Sequence, residues 1–166
     1  MKKLLISAVF VLAFNLANAQ IYRQYTIFIW SFTRYIQWPE AYNKGDFEIL
    51  VLGDSPIMDE LKILAQQKKV GERNITVTKI ASPADIKKCN VLFIPADNPA
   101  KLSDILKKVD TQSVLVVTEK AGLGAQGSCI NFIIKDGKLA FELNQAAVNR
   151  QNLKVSNELT RLGIMI

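Results

Sequence analysis

Short apolar runs alternate with stretches of helical period through the middle of the chain. Phe47 to Gly53 is apolar for most of its length and reads as a buried strand. Ile57, Leu61, Leu64 and Ala65 then fall on one face of a helix. Residues 74–80 predict a second strand with a short helix after it, through Lys88. Val91 to Ile94 predicts a third strand, followed by a helix with Leu102, Ile105, Leu106 and Val109 inward; Val114 to Thr118 predicts a fourth. Ser55-Pro56, Ser82-Pro83 and Asn98-Pro99 each place a capping side chain before a proline suited to a first helical position. Apolar strands alternating with helices imply an α/β fold: one compact domain, a mostly parallel sheet with helices on both faces.

The pattern changes in the last third. Cys129 to Lys135 and Lys138 to Leu143 predict two strands joined by a hairpin turn at Asp136-Gly137. A final helical region is expected from about Asn144 to the end, with Leu153, Val155, Leu159 and Leu162 inward. A first helix is expected over about Ile21 to Trp38. Its apolar stripe is Ile21, Tyr25, Phe28, Ile29, Phe32 and Ile36. Ile27, Trp30, Arg34 and Trp38 fall on the opposite side. Such a helix is either buried all round or packs against a partner or second copy, and Trp and Arg are enriched at interface hot spots.

The N-terminal pattern is of another kind. Lys2 and Lys3 precede an uncharged, mostly apolar run from Leu4 to Ala17, and Ala17-Asn18-Ala19 supplies the small residues that a signal peptidase reads. A cleavable export signal over residues 1–19 is therefore expected. A spanning helix needs about 20 apolar residues, and this run is shorter and contains Asn15. Removing 19 of 166 residues leaves 147, enough for one domain with a real core. Hydrophobic residues at 49% and charged residues at 22% are globular values. Without Lys2 and Lys3 the formal charge falls from +6 to +4, and the lysine pairs at 68–69, 87–88 and 107–108 sit at predicted helix ends, where they favour the helix dipole. No nucleic-acid partner is expected.

The chain has no histidine, which excludes Ser-His and Cys-His nucleophilic machinery and histidine-containing metal sites. Two cysteines, Cys89 and Cys129, cannot build a zinc site alone. No cofactor and no metal is expected. Gly122-Leu123-Gly124-Ala125-Gln126-Gly127 matches a dinucleotide-binding pattern, but the residues after it are strand-like. The pattern needs a helix there to meet the pyrophosphate, so a glycine turn between strands is expected instead. In Phe141-Glu142-Leu143-Asn144, inward Phe141 and Leu143 would leave Glu142 and Asn144 on the other side, either in solvent or against a ligand or partner. Asn144 could instead cap the next helix.

Several blocks, in order, resemble the YfiR-like family of periplasmic regulators. They are Tyr35-Ile36-Gln37-Trp38-Pro39, Ile49 to Gly53, Cys89-Asn90-Val91-Leu92-Phe93-Ile94, Val114 to Thr118, Gly127 with Ile130-Asn131-Phe132, and Phe141-Glu142-Leu143-Asn144 with Ala146-Ala147, Leu153 and Ser156. The resemblance implies a compact α/β domain that can dimerise and has no catalytic role. It implies repression of an inner-membrane diguanylate cyclase through that enzyme's periplasmic sensor region, with an outer-membrane lipoprotein releasing the repression. It also implies disulfides, yet the companion of Cys89 expected on the first strand is missing, since Phe47 to Gly53 holds no cysteine. Cys129 is expected to start a strand antiparallel to the fourth. That would place it at the far end of the sheet from Cys89, beyond the roughly 7 Å that a disulfide can bridge, so both are expected unpaired.

The function expected is an exported, non-enzymatic signalling modulator that binds the periplasmic part of a membrane sensor. The candidate interface residues are Trp30, Arg34, Trp38, Glu142, Asn144 and Arg150. The alternative is a periplasmic small-ligand-binding module, with its crevice at the carboxyl ends of the strands near Gly53-Asp54, Pro95-Ala96-Asp97 and Thr118-Glu119. An enzyme is disfavoured, because no nucleophile has a plausible base.

Overall fold

The computed structural model describes residues 20–166; the export signal expected over residues 1–19 lies outside them. Helix α1 covers residues 20–35 and runs directly into β1 (Ile36–Gln37). Then follow β2 (Phe47–Leu52), α2 (Ile57–Gln67), β3 (Lys69–Val70), β4 (Arg73–Ile80), β5 (Val91–Ile94), α3 (Leu102–Lys108) and β6 (Leu115–Thr118). The last third is β7 (Ile130–Lys135), β8 (Lys138–Leu143), α4 (Gln145–Arg150), β9 (Lys154–Val155), α5 (Asn157–Leu162) and β10 (Ile164–Met165). Eight strands form one sheet in the order β10-β8-β7-β6-β5-β2-β4-β3, and β1 pairs with β9 beside it.

The centre of the sheet, β4-β2-β5-β6-β7, is parallel throughout. β8 turns back antiparallel to β7, and β3 antiparallel to β4. This is the mostly parallel α/β domain that the hydrophobic pattern predicts, with its C-terminal hairpin and helices. The hairpin turn lies at Asp136 (φ 52°) and Gly137 (φ 72°), the left-handed pair that a tight two-residue turn requires.

Helix α1 is anchored by aromatic contact. Tyr25 stacks on Phe132 of β7 with centroids 4.3 Å apart and planes 2° from parallel. Phe32 meets Phe132 and Phe141 at 6.1 and 5.1 Å, and Phe28 meets the same two at 6.1 and 5.7 Å. Phe32, Phe132 and Phe141 are all fully buried. Strand alternation sends Asn131 and Cys129 to the face opposite Phe132. There α3 and α4 border a groove whose lining includes the buried Cys129 with Ala147 and Gln151.

Five expectations need correction. First, α1 stops at Tyr35 rather than Trp38. The Tyr35 carbonyl accepts from Ser156 N (2.8 Å), Ile36 and Gln37 pair with Val155 and Lys154, and Pro39 disfavours helix at the residue before it. The helical phase that put Trp38 beside Trp30 and Arg34 therefore ends before reaching it. Trp38 points inward, only 8% exposed, edge-on to Phe47 at 5.3 Å, with its indole N–H donating to the Asn90 carbonyl. Second, the helix expected after the second strand is a single 3-10 turn, Pro83–Asp85, closed by a capping box between Ser82 and Asp85. Third, Asn98 caps no helix. Its side chain donates to the Leu52 carbonyl (2.7 Å) and accepts from Ala100 N (2.9 Å), which ties the loop after β5 to the end of β2, and α3 begins only at Leu102. Fourth, the C-terminal region is not one helix but two short ones separated by β9. Leu153 and Leu159 are buried, but Leu162, the last residue of α5, is 66% exposed. Fifth, β7 is parallel to β6, not antiparallel, with Val117 opposite Ile130.

Phe132→Ala should remove the centre of the aromatic seam and cost about 3–5 kcal/mol, the usual range for a buried phenylalanine. Urea unfolding measures it, and a loss below about 1 kcal/mol would show that α1 is held by other contacts.

Candidate functional site

The seam turns one side of α1 to the sheet and leaves Ile27, Trp30 and Arg34 on the other. α2 lies alongside, so the two helices wall a groove of about 480 Å³. Its lining includes Arg23, Ile27 and Trp30 from α1, and Glu60, Ile63 and Lys68 from α2 and its end. Trp30 is half-buried at its centre, and its indole N–H donates to the Lys69 carbonyl at 3.3 Å. Arg34 lies 5.5 Å and Lys68 5.0 Å from the Trp30 ring centroid, so two cations share one indole. Ile27 and Ile63 are 53% and 48% exposed.

Glu142, Asn144 and Arg150 lie on the opposite face of the sheet. Asn144 caps α4 by accepting from Ala147 N, and its amide donates to the Gly124 carbonyl at 2.9 Å. Glu142 accepts from Asn131 Nδ2 at 2.9 Å. A Cβ on Gly124 would overlap the Glu142 carboxylate, so the glycine loop closes directly over these two side chains. Behind them the Thr118 hydroxyl donates to Asn131 Oδ1 at 2.7 Å and lies 2.9 Å from Ser128 Oγ, all three residues being fully buried. This polar chain pins the loop between β6 and β7; strand alternation flags neither Thr118 nor Ser128 in advance. Arg150 is exposed at the rim of the α3–α4 groove, beside Gln126 and Asp110. The six candidates thus separate into Trp30 with Arg34, Glu142 with Asn144 and nearby Arg150, and Trp38 alone in the core.

The carboxyl ends of the strands hold a third arrangement. Glu119, just past β6, accepts at one oxygen from Tyr22 of α1 (3.3 Å) and from Ala96 N (3.2 Å). Burial pushes its carboxyl above the ordinary 4.5, and Asp97 adds to the rise, while the two donors oppose it. The Tyr22 hydroxyl is in turn pushed up to about 12 by burial and the neighbouring Glu119. A cavity of about 650 Å³ lies beside this cluster, lined by Ala96, Asn98, Lys101, Lys120 and Gln126 among others. Cys89 and Cys129 are both free and buried. What separates them is not opposite ends of the sheet but the intervening β6: two strand spacings amount to about 10 Å. Burial raises both thiols to about 12, so they are protonated at neutral pH.

A family model described as YfiR/HmsC-like matches residues 22–164. The chain belongs to the YfiR/HmsC-like family. No curated protein matches it. Membership suggests a periplasmic regulator rather than a catalyst, and the match runs from the first turn of α1 to the start of β10. Among the described residues of this YfiR/HmsC-like domain, no cluster of three or more metal-ligating side chains occurs, and no helix is long and apolar enough to cross a membrane.

Glu119 should leave a signature in stability. A carboxyl with a raised native pKa binds more protons folded than unfolded. Its stabilising contribution is complete below the unfolded value and is lost as pH rises through the raised native one. Glu119→Gln should therefore gain stability relative to the parent chain as pH climbs from about 4 towards 8. Thermal unfolding across that range measures it, and a constant difference would contradict the raised pKa.

Proposed function

We propose that this domain is an exported, non-enzymatic modulator that binds the periplasmic region of an inner-membrane sensor of the diguanylate cyclase kind. The observation that carries this is the outward side of α1. An aromatic residue and a cation stand together there, in a family of regulators, on a helix whose other side is locked to the core. Binding alone is enough for control, because a ligand that prefers one of two conformations of a sensor shifts the balance between them by its difference in affinity. The docking surface is Trp30 with Arg34, without Trp38. Glu142 and Asn144 hold the glycine loop, and Arg150 is free to contribute on the other face. An outer-membrane lipoprotein as second partner and self-association as a homodimer belong to the same proposal.

The strand-end crevice supports the small-ligand alternative less well. Its most buried acid, Glu119, is already committed to Tyr22 and Ala96 within the chain.

Overproduction of the chain in its own cells should lower cyclic-di-GMP. Trp30→Ala combined with Arg34→Ala should abolish that effect while export and thermal stability persist. If neither chain changes the nucleotide level, the modulator role is wrong; if both lower it equally, the surface is wrong.

A further inference from the structure

The groove between α1 and α2 has a chemistry more specific than exposure alone. Its apolar lining is Ile27, Trp30, Ile63 and Leu64, and the two isoleucines are among the exposed large hydrophobics of the described residues. Patches of that kind mark interaction sites. Its charge is one-sided. Arg23 and Lys68 line it and Arg34 stands over the Trp30 ring, against a single carboxylate, Glu60. The ion pairs among the described residues are Lys79–Asp54, Lys87–Glu48 and Lys107–Asp104, and none involves a groove residue. Arg34 and Lys68 also repel each other across the indole they share, and an incoming carboxylate would relieve that repulsion.

From this we infer that the groove takes an amphipathic helix of the partner, with apolar side chains about one turn apart and acidic residues flanking them. Such a helix would lay its apolar side chains between Ile27 and Ile63 and bring its carboxylates to Lys68, Arg34 and Arg23. This is the helix-in-groove mode, in which side chains at i, i+3, i+4 and i+7 serve as anchors. A second copy of this chain is a poor occupant, because it would present the same cations to each other. A membrane surface is also poor, because the apolar residues line a cleft between two helices rather than a ridge that could enter a bilayer. The inference rests on the docking role proposed for Trp30 and Arg34 and adds the partner's chemistry.

The test uses a synthetic peptide of about 18 residues, five helical turns, with leucines at those spacings and glutamates beside them. A twin carries lysines in place of the glutamates. Trp38 is buried, so a blue shift in emission on binding reports Trp30 being covered. The glutamate peptide should bind with that shift, weaken in about 0.5 M salt as exposed charge pairs are screened, and bind the Lys68→Glu variant at least about tenfold more weakly, the equivalent of one good charge contact. The lysine twin should not bind. Equal binding of both peptides, binding of neither, or indifference to Lys68→Glu would overturn the inference. So would an emission shift with phosphatidylglycerol vesicles but not with the glutamate peptide. Loss of the cyclic-di-GMP effect in cells would count against the modulator role instead, so the two failures are distinguishable.

Discussion

Phe132 lies flat against Tyr25 and touches Phe28 and Phe32, and this contact decides how α1 is presented. A helix has one side to give to a sheet. Once the aromatic seam takes it, Ile27, Trp30 and Arg34 must face away, and α2 is the neighbour they meet. Trp30 then finds the carbonyl of Lys69, the first residue of β3, and the ring becomes a platform for Lys68 and Arg34. The groove is thus a consequence of core packing rather than a separate construction.

The same sheet supports a second, more rigid arrangement on its other face. The link from β6 to parallel β7 must reverse direction without a helix, and residues 119–129 do so as a compact turn. Thr118, Ser128 and Asn131 hold it from beneath, and Glu142 and Asn144 from the side. Buried hydroxyls and amides are costly unless paired, and here nearly every polar atom has a partner. Glu119, where this turn begins, reaches Tyr22 in the first turns of α1, so the loop and α1 are joined through one carboxylate.

Strands β2, β5 and β6 are legible in the chain because each is apolar along most of its length, and the hairpin because Asp136-Gly137 admits little else. The apolar stripe of α1 was legible too. Its end was not: Trp38 obeys helical spacing on paper, but the chain leaves the helix at Tyr35 to pair with β9, more than a hundred residues away. Periodicity cannot see such a pairing. The direction of β7 was missed for a related reason, since a short glycine-rich link suggests a hairpin and only the polar chain from Thr118 to Glu142 lets it become a parallel connection. Chemistry and helical phase point to Trp30 and Arg34 as an interface pair. Ile63 and Lys68, which complete the groove, lie on α2 and at its C-terminal end, and only the tertiary fold brings them there.

Control by docking requires that the sensor touch the α1–α2 groove in the cell. Photocrosslinking reads this most directly, with a photoreactive side chain placed in turn at Ile27, at Ile63 and, as a control, at the exposed Ile134 of β7. Adducts to one inner-membrane protein with a periplasmic domain, formed from positions 27 and 63 but not 134, are what the packing of α1 predicts. Adducts to that protein from position 134 alone, or none from the groove, would contradict it.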